Sequence, residues 1–358
     1  MLGLGGDMVL GQVVGQEQVL VAIPSDRKDV LPRHTAILGT TGGGKSTTVA
    51  RLVQQAQAAE CAVVLLDVEG EFTHLREPAT DERMLTALQR RGVAPAGVPG
   101  VRLNHLVGRD PANPEYRPQS AFSLQFARLS PYAVMEILNL TDAQRERFMQ
   151  AYDVAKVLLR EMDIFPQRGH HEQEQLAMEV DEFERGYPRL NLSFLMDVVW
   201  ASRVLAERAD QATFHPFSPE LRGQEQHIFQ RLGAANVSGN AVSWRALLGK
   251  LAGLYRLRVF DRTEEGARPI AYERLLQPGS VNVVDLSDSP SPVLNNLVIA
   301  DLLHGLQEAQ ERAYRRFETA SREGREAPRP SRVLVIIEEA HEFLSAERIE
   351  KCPCCSSR

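Results

Sequence analysis

Apolar and polar positions alternate through Val9–Pro24, "VLGQVVGQEQVLVAIP", in a period of two around a glycine. This predicts two short strands joined as a hairpin, the residue of a small β-barrel. The continuous apolar stretch in "RHTAILG" (33–39) predicts a buried strand. A helix from about Ser46 follows, its apolar face marked by Val49, Leu52, Val53 and Ala56 at helical spacing. "CAVVLLDVEGEF" (61–72) predicts a second buried strand that runs into carboxylates. Strands alternating with helices indicate an α/β fold built on a parallel sheet.

The pattern then changes. From 107 to 269, polar loops such as "GRDPANPEYRPQS" and "FPQRGHHEQEQ" separate stretches of 3.6-residue periodicity, which predicts a mainly helical insertion with one strand at "AFSLQF" (121–126). The α/β pattern returns with the strand "SVNVVDLSD", a helix from about Pro292 to Phe317, an Arg/Glu/Pro-rich linker and the strand "RVLVIIEEA". The predicted organisation is a hairpin segment over 1–30, core over 31–106 and 270–351, the insertion over 107–269, and a tail over 352–358.

Composition narrows little. Hydrophobic residues make up 43% and charged residues 25% of 358, with no apolar run long enough for a bilayer and no leader-like start, so a cytoplasmic address is expected. A formal net charge of −6 argues against a wholly basic nucleic-acid coat but leaves room for a basic channel. Cys61, within an apolar strand, is expected to be a small buried hydrophobe.

The chemistry begins at "GTTGGGKSTT", which fits G-x-x-x-x-G-K-[ST] between a predicted strand and a predicted helix. Gly39, Thr40, Thr41, Gly42, Gly43, Gly44, Lys45, Ser46 and Thr47 are the candidate nucleotide-binding residues. Glycines let backbone N–H groups turn inward on phosphate oxygens, and the helix N-terminus adds partial positive charge. Lys45 is expected to reach the β- and γ-phosphates and Ser46 to hold Mg²⁺. The acidic partner is "VLVIIEEAHEF", where an apolar strand ends in Glu338 and Glu339. Glu338 is expected at the metal, and Glu339 to orient or deprotonate the attacking water, with Lys45 as its catalytic companion. Asp67, Glu69 and Glu71 are candidates to face the nucleotide, an ordinary acidic turn being the competing reading. Only five of the 41 basic residues are lysine, and none sits in a guanine-reading Asn/Thr-Lys-x-Asp, so ATP is favoured over GTP.

Three further features carry expectations. Arg245, Lys250, Arg256, Arg258 and Arg262 are read as a solvated helix face with Trp244 and Tyr255 packed inward, phosphate contact being the alternative. His170, His171 and Glu172 are read as a solvated loop rather than a metal site. His341 is a candidate sensor of nucleotide state.

Together "LGTTGGGKSTT", "LLDVEGEF", "SWRALLGKL", "LLQPGSVNVVDLSD" and "VLVIIEEAHEFL" resemble, in order, the motifs of the HerA family of hexameric DNA-translocating ATPases, relatives of the FtsK pumps. The resemblance runs from about Val9 to Lys351. It implies a RecA-like P-loop ATPase using ATP and Mg²⁺, assembled as a homo-hexamer around duplex DNA, with a NurA-like nuclease or a sirtuin-type or other defence effector as partner. Family members begin with a fuller barrel and commonly carry Asp where this chain has Glu338. They also place a further strand and an arginine finger after the acidic motif. The family's residues after Lys351 resemble Met-Pro-Val-Leu-Phe-Gln-Gln, and removing one base from codons for these gives the Cys352, Cys354, Cys355 ending. A frameshifted tail is therefore expected, against a rival metal or redox cluster that lacks C-x₂-C spacing. Competing functional readings are a truncated nucleotide-binding fragment and an ATPase that moves protein.

Overall fold

Strand β1 (Met8–Val13) and strand β2 (Gln16–Ile23) pair antiparallel as the sequence pattern requires, with Gly15 taking the left-handed φ of 81° at the turn. In this computed structural model the described residues are 5–13, 15–25, 27, 35–40, 42–237, 240–262 and 267–342. Thr41 and the whole cysteine tail, with Cys352, Cys354 and Cys355, lie outside them. The chain divides into two compact units: 1–121 with 271–290 and 305–358, and 122–270 with 291–304. Residues 107–121 thus fold with the first unit, and 291–304 with the second.

The first unit is built on helix α1 (Lys45–Ala58) and strand β3 (Ala62–Asp67). Val49, Val53 and Ala56 of α1 are buried, and Val53 and Met8 of the hairpin join one apolar cluster. Gln55 holds the hairpin to the helix by accepting the Val9 N–H at 3.0 Å. Every residue of β3 is buried, as expected of a strand flanked on both edges and covered on both faces. Each fully buried Val or Leu there contributes about 1.5–3 kcal/mol. Cys61 is 4% exposed and burial pushes its thiol up, in line with the hydrophobe expected from its setting.

Helix α2 (Glu82–Arg90) starts at Asp81, whose carboxylate accepts the Met84 N–H. Strands β4 (Val101–Leu106) and β5 (Gln119–Phe122) follow; β5 starts two residues ahead of the predicted "AFSLQF" and ends at Phe122, and Phe126 already begins a 3-10 turn.

The second unit is helical: α3 (Pro131–Ile137), α4 (Asp142–Glu161), α5 (His171–Glu179), α6 (Leu192–Ala206), α7 (Glu225–Ala234) and α8 (Ala241–Arg256). Caps set their starts, a Thr141/Gln144 capping box for α4 and Asn191 and Asn240 side chains for α6 and α8. Phe148 and Tyr152, Phe194 and Val198, Trp244 and Leu247 are fully or almost fully buried at helical spacing. Trp244 therefore packs inward as expected, whereas Tyr255 is 44% exposed: Leu254 takes the inward place in the last turn of α8 and Tyr255 lies at the rim against Phe217. Arg245 is paired with Glu207, and Lys250 donates to the carbonyls of Leu138 and Asn139. His171 opens α5 instead of a loop, its side chain 94% exposed.

Helix α9 (Tyr272–Leu275), strand β6 (Val281–Asp285), helix α10 (Pro292–Arg322) and strand β7 (Val333–Ile337) complete the described chain. The sheet order is β5-β4-β6-β3-β7, with β4, β6, β3 and β7 mutually parallel. Register aligns Asp67 with Asp285 and Leu66 with Ile337, so the carboxyl ends of β3, β6 and β7 finish side by side. The predicted strand over 33–39 is not borne out over its described part. Residues 35–40 adopt no strand, and Leu38 is 89% exposed. A buried strand needs a neighbour for its backbone groups, and among the described residues β7 is the sheet's edge, half-buried throughout where β3 is fully buried. No helix among the described residues is long and apolar enough to cross a membrane.

Candidate functional site

The glycine loop is shaped by backbone demands that other residues meet poorly. Gly42 (φ 75°) and Gly44 (φ 84°) sit in the left-handed region, and Gly44 is the N-cap of α1. The Gly43 N–H donates to the Thr40 carbonyl at 2.9 Å, closing the turn. Lys45, Ser46 and Thr47 then form the first turn of α1, with no acidic residue in that turn to compete for its partial positive charge. Thr48 bonds back to the Gly44 carbonyl at 3.0 Å and fixes the helix start.

Facing this turn are the ends of β3 and β7. The Glu338 N–H continues the sheet ladder to Leu66 O at 3.1 Å. Its side chain turns across to β3, where Oε2 accepts the Val68 N–H at 3.0 Å and the Glu69 N–H at 3.1 Å. Glu339, at φ 47°, leaves the strand direction. Its carboxylate lies 3.8 Å from Lys45 Nζ through Oε1 and 3.0 Å from His341 Nδ1 through Oε2. Lys45, Glu338, Glu339 and His341 are thus brought to one place, although Lys45 and Glu339 are 294 positions apart in sequence.

The three acidic residues after β3 part ways. Asp67 is fully buried, and its two oxygens accept the Gly70 and Phe72 N–H groups, each at 2.8 Å. It shapes the turn from a fully buried position, unlike the exposed Glu69 and Glu71. Burial first, then the hydrogen bond and charge of Glu338, pushes Asp67 up to about 8. Glu69 and Glu71 point outward. Ser46 Oγ donates to Glu71 Oε2 at 2.6 Å. One carboxylate oxygen from each of Glu69, Glu71 and Glu338 lies within 4.8 Å of the others. Burial raises Glu69 above the usual carboxylate range, reinforced by the charges of Glu338, Glu339 and Glu71 and opposed by Lys45. A hydroxyl and three carboxylates form a hard-oxygen donor set that fits Mg²⁺. The Ser46–Glu71 contact escaped sequence reasoning because nothing local links positions 25 apart.

The family model described as "Helicase HerA, central domain" matches residues 8–305. The chain belongs to this HerA helicase central-domain family. The match takes in the hairpin, the glycine loop and β3 to β6, and it ends ahead of β7. The placement of Glu338 and Glu339 therefore stands on the geometry just described. Among curated relatives, "Probable helicase MJ1565" of Methanocaldococcus jannaschii is 37% identical over 67 residues, which is 19% of this chain and 13% of that protein. Among solved structures, VirB4 of Thermoanaerobacter pseudethanolicus aligns over 96% of this chain and 80% of its own, at 15% identity and a TM-score of 0.39. That likeness is too loose to argue from. Membership of the HerA helicase central-domain family and the α/β sheet architecture described above are what the family model and the fold establish.

Proposed function

We propose that this chain is an ATP-driven motor that moves along duplex DNA. The observation that carries the reading is the meeting of Lys45 and Ser46, at the start of α1, with Glu71, Glu338 and Glu339 at the ends of β3 and β7. In it, Gly39, Thr40, Thr41, Gly42, Gly43 and Gly44 wrap the phosphates, joined by Thr47 at the helix start. Lys45 exchanges its Glu339 partner for the β- and γ-phosphates. Ser46 and Glu338 hold Mg²⁺, which when bound neutralises charge on the phosphates. Glu339 is thereby released to orient or deprotonate water, with His341 beside it. DNA as the substrate is the reading that membership of a helicase family supports. A homo-hexameric ring, a NurA-like nuclease or sirtuin-type effector partner, and a cytoplasmic location belong to the same proposal.

The test is turnover with and without duplex DNA. Lys45→Ala is expected to abolish nucleotide binding or hydrolysis, and Glu339→Gln to keep binding and stop hydrolysis. Turnover unchanged in Lys45→Ala would overturn the site. Turnover indifferent to DNA but raised by a protein substrate would turn the reading towards a protein-moving ATPase.

A further inference from the structure

We infer that Glu71 is a protein ligand of the site's divalent cation, and that this chain takes up that cation before nucleotide arrives. The inference rests on the nucleotide-site reading above for the position of the phosphates. A serine and one acidic residue give a P-loop too few protein donors to keep Mg²⁺ alone, because Mg²⁺ dehydrates reluctantly and leans on substrate phosphates. Here the donor set is larger. Ser46 Oγ and Glu71 Oε2 are already 2.6 Å apart, and the Glu69, Glu71 and Glu338 oxygens all fall within 4.8 Å.

An octahedral ion with bonds of about 2.0–2.1 Å places adjacent ligands about 2.9 Å and opposite ligands about 4.2 Å apart. The 2.6 Å Ser46–Glu71 contact and carboxylate oxygens no more than 4.8 Å apart are on the scale of that span. Charge points the same way. Among the described residues no lysine or arginine is ion-paired with Glu69, Glu71 or Glu338, and Lys45 is directed to Glu339. Up to three negative charges therefore converge with Lys45 acting on Glu69 only from beyond ion-pair distance, and a divalent ion supplies the missing charge. Glu338 is held in place by the Val68 and Glu69 N–H groups. Among the described residues the Glu71 side chain is held by Ser46, and a bound ion would offer both oxygens a partner in place of each other. Ser46 and Glu71 would then be ordered as ligands, and nucleotide would meet a site whose charge is already balanced.

The experiment is Mn²⁺ titration of the full chain followed by electron paramagnetic resonance, without nucleotide, alongside separate titration with a fluorescent ATP analogue. Mn²⁺ shares the octahedral oxygen preference of Mg²⁺ and reports directly on binding. One Mn²⁺ per chain is expected without nucleotide. Glu71→Gln is expected to weaken it at least about tenfold, the scale at which even outer-shell partners of metals act. Lys45→Ala should lose the ATP analogue but keep Mn²⁺. Absence of Mn²⁺ binding in a chain that binds the analogue, or Glu71→Gln titrating like the parent, would overturn the inference and leave the motor reading intact. Mn²⁺ held through Glu71 by a chain that takes no nucleotide would support the cation site and overturn the motor reading.

Discussion

Replacing Glu338 in two ways separates its structural work from its chemical work. In Glu338→Ala the Val68 and Glu69 N–H groups lose the oxygen that accepts both, at 3.0 and 3.1 Å. A hydrogen bond of this kind contributes about 0.5–1.5 kcal/mol net. Glu69 lies at an exposed position where water can take over, and removing the Glu338 charge relieves the neighbour that helps push Asp67 up to about 8. The expected loss is therefore about 1–2 kcal/mol, below the full sum of two bonds. Glu338→Gln keeps an oxygen in the same place and is expected to cost under about 0.5 kcal/mol. On the proposed reading both variants lack the charge that would face the cation, so both are expected to lose ATP turnover. Both tryptophans, Trp200 and Trp244, lie in the helical unit, so their fluorescence does not report on this site. Urea unfolding followed by far-UV circular dichroism, with amide exchange at Val68 and Glu69, is the suitable assay. Equal destabilisation by Ala and Gln, or Gln retaining parental turnover, would refute the reasoning.

Two further predictions concern packing and pH. A Cβ added at Gly305 in α10 would lie 2.3 Å from ring carbons of Tyr272, so Gly305→Ala is expected to lower stability by about 1–3 kcal/mol, and pairing it with Tyr272→Leu to restore part of that in urea unfolding. Asp197, fully buried, accepts the Phe217 and Ser218 N–H groups, and burial pushes it up to about 6 from 3.8. A raised folded-state value means its stabilising contribution is complete below 3.8 and is lost as pH rises through about 6. The helical unit should lose about 3 kcal/mol from this source between pH ~4 and ~7. Tryptophan fluorescence against urea checks it, and a parent whose pH slope across that window equals that of Asp197→Asn would refute it.

What the sequence determined by itself is what depends on neighbours along the chain. The glycine loop was legible because Gly42 and Gly44 answer a local demand for positive φ, and because Lys45 and Ser46 begin a helix whose apolar face repeats at Val49 and Val53. Strands β3, β6 and β7 were legible as apolar runs, and the Glu338–Glu339 pair as the acidic end of one of them. Tertiary structure decided the rest. Spacing alone sets Asp67, Glu69 and Glu71 on one face, as if the strand continued. The strand instead ends at Asp67, and Gly70, at φ 79°, turns the chain. Asp67 is thereby sealed under its own turn while Glu71 swings to Ser46. The stretch over 33–39 has the composition of a strand, yet a strand exists only where another chain segment accepts its backbone bonds, and residues 35–40 have none in the described sheet. Residue type fixed which groups could do chemistry, and long-range pairing of strand ends fixed which of them meet.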